Sequence, residues 1–133
     1  MRKLVAASLL SFGLLISLFG TVYPAGSSQK MQDSAVDRLY RADRYQATSD
    51  LIAAKLAKGG DHISSDLQLY YFNILSMVQM RLSHLDSAKN CAYRSMKIAG
   101  KSMDSTLISD AWKAMSYAYN RCGQLDSALF FYE

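Results

Sequence analysis

The tetrapeptide Leu85-Asp86-Ser87-Ala88 returns as Leu125-Asp126-Ser127-Ala128 forty positions later, and a chain that repeats itself at such a step has few ways to fold. A unit of roughly twenty to fifty residues is one supersecondary element that leaves an apolar face open, so successive units stack and bury each other's faces. Agreement by residue type extends the match: Phe72 answers Trp112, Leu75 answers Met115, Ser76 answers Ser116, and Arg81 answers Arg121. One step earlier, Arg41, Tyr45 and Thr48 fall opposite Arg81, Leu85 and Ala88, a weaker third copy.

The first residues follow a different rule. Arg2 and Lys3 precede an uncharged run from Leu4 to Val22, which gives way to Tyr23-Pro24-Ala25-Gly26-Ser27-Ser28. A basic end, an apolar stretch and a small-residue exit are the layout of a secretory signal peptide, here predicted over 1–27 with cleavage after Ala25 or Ser27. The alternative is an uncleaved anchor, because nineteen uncharged residues approach the ~20 needed to cross a bilayer. Gly13, Gly20 and the exit sequence favour cleavage. No cysteine follows the run, so a bacterial lipoprotein attachment site is absent from the sequence.

Two of the fifteen basic residues lie in this segment and none of the eleven acidic ones, so its removal lowers the net charge from +4 to +2. The remaining basic excess is dispersed, with no Lys/Arg block and no basic stripe interleaved with aromatics, which argues against nucleic-acid binding. About 106 residues remain, enough for one domain with a modest core. The two cysteines, Cys91 and Cys122, either pair in an oxidising compartment or pack as small apolar residues. With His62 and His84 at unrelated spacings they do not resemble a zinc site. No nucleophile turn, phosphate loop or metal spacing is present, so no enzymatic activity and no cofactor are expected.

Within the second unit Leu67, Tyr71, Ile74, Leu75, Val78 and Leu82 recur at three- and four-residue steps, which predicts one face of a helix. Ser83-His84 interrupts it, and Asp86 and Ser87 stand where a second helix begins, the acid facing the positive end of the helix dipole and the short oxygens able to cap it. That helix carries Leu85, Ala88, Ala92, Ser95 and Met96 inward and ends at Ala99-Gly100, where Gly100 suits a left-handed terminator. The third unit repeats the plan, with Leu107, Ile108, Ala111, Trp112, Met115, Tyr119 and Cys122, the turn residue Gly123, then Leu125, Ala128, Leu129 and Tyr132.

Trp112, Met115, Ser116, Tyr119, Gly123, Leu125, Ala128 and Tyr132 together resemble the signature of the tetratricopeptide repeat. Ser116 and Ala128 are then small because paired helices approach closely, and Trp112, Tyr119 and Tyr132 fill the wedges around that contact. Unit two keeps Phe72, Leu75, Ser76, Leu85 and Ala88 but departs at Gln79, Ser83 and Ala92. Unit one, from about Gln32 to Lys58, keeps an apolar rhythm in Ala35, Val36, Leu39, Tyr45, Thr48 and Ile52, while Thr48 replaces the alanine and Asp43 the glycine. The family's period is about 34 residues, so the surplus is expected in the inter-unit loops or in longer leading helices. The resemblance implies an all-α domain over 30–133, a right-handed superhelical stack of antiparallel helix pairs. Ending at Phe130-Phe131-Tyr132-Glu133, the last unit is expected to be incomplete and aromatic on its surface.

In such arrays the leading helices line a concave groove that grips extended peptides. By register the groove set is Arg41 with Asp37 and Tyr40; Tyr70, Asn73 and Arg81 with Met77 and Met80; and Lys113, Tyr117, Asn120 and Arg121 with Asp110. Arg41, Arg81 and Arg121 take the same place in each unit and suit a carboxylate-bearing protein or peptide partner, since guanidinium offers a planar fork. The alternative is that each arginine complements the negative end of its own helix in solvent, and that Met77 and Met80 are packing residues. The resemblance further implies an exported scaffold, periplasmic or membrane-associated facing the periplasm. A different expectation is the input region of a longer membrane-bound signalling or transcription-regulating protein. Membrane contact would come only through the first segment or a span beyond the sequence.

Overall fold

Three tight turns with the same hydrogen bonds, forty residues apart, organise the molecule. In the computed structural model, which describes residues 33–132 apart from the side chains of Leu125, Asp126, Leu129 and Tyr132, six α-helices run α1 (Ser34–Arg41), α2 (Tyr45–Gly59), α3 (Ser65–Arg81), α4 (Leu85–Ala99), α5 (Ser105–Arg121) and α6 (Leu125–Tyr132), with a short 3₁₀ turn at Gly60–His62. The described residues contain no strand. The predicted signal segment 1–27 lies outside them.

At each turn within a pair the chain leaves the first helix the same way. Ser83 N–H donates to the Met80 carbonyl and His84 N–H to that of Gln79; Asp43 with Arg44, and Gly123 with Gln124, make the equivalent bonds. This double bond is the Schellman arrangement, which requires a left-handed residue at its centre. Asp43, Ser83 and Gly123 supply it, at φ 56°, 62° and 75°. Only the last is a glycine, and an L-residue is disfavoured there by roughly 1–2 kcal/mol. Ser83→Gly is therefore expected to raise stability by about 0.5–1 kcal/mol, read as a higher melting temperature by circular dichroism, and Gly123→Ala to lower it. Gly100 does not share this role: its φ is −64°, so the end of α4 continues through a right-handed turn rather than the left-handed one expected.

The paired helices are antiparallel and close. Ser76 Oγ donates to the Ala88 carbonyl at 3.0 Å, and one unit later Ser116 Oγ donates to the Ala128 carbonyl at the same distance. A serine side chain reaches a facing backbone only where little separates the helices, so Ser76 and Ala88 are both fully buried. In the first pair Val36 and Thr48 hold these places, also fully buried, and Thr48 turns its hydroxyl to the Arg44 carbonyl of its own helix.

Leading helices α3 and α5 have seventeen residues each, and α2 and α4 fifteen. Leading helices begin on side-chain caps: Asp33 accepts from the N–H groups of Ala35 and Val36, Ser64 from Leu67, and Asp104 from Thr106 and Leu107. The following helices α2 and α4 have no side-chain cap; Asp86 stands in the first turn of α4 as a dipole charge and not as a cap. Helix α3 is central and buried on most sides, nine of its seventeen residues being buried. One core cluster joins Val36, Ile52, Leu69, Phe72, Leu75 and Leu107, a second joins Met80, Ala88, Ala92, Met115 and Ala118, and Met96 packs against both. Cys91 and Cys122 are half-buried free thiols, and burial pushes the Cys91 thiol upward despite the nearby Arg94 charge.

Candidate functional site

The last turns of α3 and α5 place two arginines one repeat apart on a shared cavity. It encloses about 510 Å³ and is lined by Met77, Met80 and Arg81 from α3 and Tyr117, Asn120 and Arg121 from α5. Met80 is buried and Met77 half-buried, both packed on the second core cluster. They form an apolar floor, while the exposed Arg81, Tyr117, Asn120 and Arg121 supply polar groups around it. Among the described residues neither guanidinium takes part in a salt bridge. Two unneutralised forks above a polarisable floor can receive a carboxylate together with a small apolar side chain.

Other residues of the expected groove lie elsewhere. Arg41 borders a separate cavity of about 570 Å³ with Ser34, Asp37 and Arg38. Lys113 is exposed and pairs with Asp110 at 3.4 Å, beside a third cavity on α5 and α6. Tyr70 and Asn73 do not line the Arg81 and Arg121 cavity; they are buried to 6% and 7% exposure, and their polar groups join one unit to the next. Tyr70 donates to Asp37 and Asn73 Nδ2 to the Leu107 carbonyl; Asn73 Oδ1 has no partner among the described residues. Periodicity located the buried residues Tyr71, Leu75 and Val78 of α3, but it could not show that α3 also packs against α5 at Asn73.

Sequence reasoning missed two features. Trp112 does not fill a wedge but is 40% exposed, its ring tilted against that of Phe131 with centroids 5.7 Å apart. Asp33 forms a small network: its carboxylate caps α1, accepts from the Tyr71 hydroxyl at 2.8 Å and pairs with Lys55 at 2.8 Å. Burial pushes the Asp33 carboxyl up, but the bonds from Lys55, Tyr71 and the Val36 N–H, with the Lys55 charge, outweigh it and hold the group below the usual carboxylate range. Burial first, and then the bond to a carboxylate, pushes both Tyr70 and Tyr71 well above the ordinary phenol value. An aspartate ahead of an amphipathic stretch signals a cap, but nothing local signals a tyrosine thirty-eight residues away.

Among the described residues no helix is long and apolar enough to cross a membrane, and no three His, Cys, Asp or Glu side chains group as metal ligands. No protein-family model matches the chain, and no curated protein or solved structure matches it either.

Proposed function

We propose that this chain is an exported helical-repeat scaffold of the tetratricopeptide type, a right-handed stack of antiparallel pairs that binds an extended protein segment along its leading helices. The observation that carries the reading is the pairing of Arg81 and Arg121, equivalent by repeat, on one methionine-floored cavity. A ligand carboxylate bridged by the two guanidinium groups would be bound with direction, and its neighbouring side chain would rest on Met77 and Met80. Export, to the periplasm, belongs to the same reading; it rests on the basic end, apolar run and small-residue exit of 1–27.

Acidic and charge-neutral peptide panels, followed by pull-down with the chain from residue 28 onward, test it. Arg81→Ala or Arg121→Ala should weaken capture of an acidic peptide about tenfold, the scale of one charged hydrogen bond, and added salt should weaken wild-type binding. Arg41→Ala, at a different cavity, should matter less. Equal capture by the Arg81 and Arg121 variants would mean that these arginines only complement their helix ends.

A further inference from the structure

The six residues that line the Arg81 and Arg121 cavity form three repeat-equivalent pairs forty positions apart: Met77 with Tyr117, Met80 with Asn120, and Arg81 with Arg121. Because the last turns of α3 and α5 meet there, the two helices run in the same direction, and each pair makes one level of the cavity with a side chain from either helix. The levels differ in chemistry. Arg81 and Arg121 form a charged tier; one turn back, the half-buried Met77 and the 44% exposed Tyr117 form an apolar one. Four residues at about 1.5 Å each set the tiers about 6 Å apart along the axes. The contrast runs along the helices and not across them. Both units that build the cavity are in place, and Met77 and Arg81 reach it with α5 packed against α3.

An extended peptide has the matching period. Its alternate side chains share a face and stand about 6.6 Å apart, while the residue between them points the other way. On the reading that this cavity holds an extended protein segment, we infer that the ligand carries an acidic and a large apolar residue separated by one position, the carboxylate held between the two guanidinium groups and the apolar side chain between Met77 and Tyr117. Asn120 stands between the tiers, one residue before Arg121 and three after Tyr117, and is exposed. Its amide offers both a donor and an acceptor, which suits the N–H and C=O groups of the main chain that links the two anchors. A fatty acid also joins a carboxylate to an apolar tail, but it has no main-chain amide for Asn120 to meet. The first joint lacks the apolar tier: at the place of Met77 and Tyr117, α1 carries Asp37, which accepts from the Tyr70 hydroxyl. A single acid-x-apolar element, rather than a repeated one, is what units two and three read.

The test is calorimetric titration of the full chain with short glycine-serine peptides, capped at both ends, that hold one glutamate and one leucine at varied separation. Peptides with one position between the two, in either order, should bind about tenfold more tightly than those in which they are adjacent or separated by two. Tyr117→Ala, at an exposed place, should remove most of that advantage, and Arg81→Ala should weaken every peptide alike. Equal affinity at all separations, still reduced by Arg81→Ala, would overturn the inference and leave the carboxylate-binding reading standing. Binding that ignores Arg81→Ala throughout would overturn both. Octanoate that competes as well as the best peptide and is indifferent to Asn120→Ala would also overturn the inference, since the occupant would then be a fatty acid.

Discussion

Asp33→Ala is expected to destabilise the fold by about 2–4 kcal/mol, an unusually large effect for one carboxylate near the edge of a helical domain. Loss of the α1 cap contributes about 1 kcal/mol, and leaving the Tyr71 hydroxyl without its acceptor in a buried place adds about 1–3 kcal/mol. The Lys55 pair adds little, because the lysine is partly exposed and screened. A pH series separates charge from capping. The Asp33 pKa is depressed in the folded state, so its contribution is present above the unfolded value, near 3.9, and is lost as pH falls through the folded value. Asp33→Asn keeps a capping oxygen and removes the titration, so its melting temperature should fall less steeply than wild type below about pH 4. Parallel acid limbs would assign the acid sensitivity to other carboxylates. At the other extreme, Tyr70 and Tyr71 have raised folded values. Their contribution is present below the unfolded value near 10 and is lost as pH rises beyond it, so the fold should weaken in strong alkali.

Ala88→Leu should cost about 1–3 kcal/mol by overpacking, with about 1 kcal/mol more from the displaced Ser76 bond. The methyl group of Ala88 is fully buried, and the facing helix is close enough for Ser76 Oγ to reach its carbonyl at 3.0 Å. Three added carbons have no room unless the pair spreads. Thermal melts of Ala88→Leu and Ser76→Ala distinguish the two contributions: the serine variant should lose only the hydrogen bond. A melt of Ala88→Leu that coincides with wild type would mean that the pair tolerates separation and that the repeat alignment has no packing basis.

Much of this architecture was legible in the sequence because helix periodicity and repeat spacing are local or internally self-checking signals. The LDSA recurrence fixed the register, and the helix bounds of α3 with α5, and of α2 with α4, follow it residue for residue. Turn chemistry was less legible: Asp43 and Ser83 stand where the resemblance calls for glycine, yet the backbone there is left-handed all the same, since the Schellman bonds and flanking helices impose it. Gly100 shows the converse, a glycine whose freedom goes unused. For the candidate site, Arg81, Tyr117, Asn120 and Arg121 were brought together as register suggested. Tyr70 and Asn73 were not, because their burial depends on how one pair leans on the next, and a periodic pattern within one helix carries no information about that.

The polar bonds between units also carry an address. The first joint is made by Tyr70 to Asp37, Tyr71 to Asp33 and Gln79 to Ser49, while the second uses Asn73 to the Leu107 carbonyl, Ser102 to Asp66 and Lys89 to Gln124. Backbones that superpose in pattern are thus keyed by different partners: the places of Tyr70 and Tyr71 are taken one step later by Asp110 and Ala111. Grafting the third unit directly onto the first would set Asp110 toward Asp37 and leave Asp33 facing a methyl group. The order of the units is therefore written into their joints, and a shuffled array of the same helices would assemble with mismatched locks.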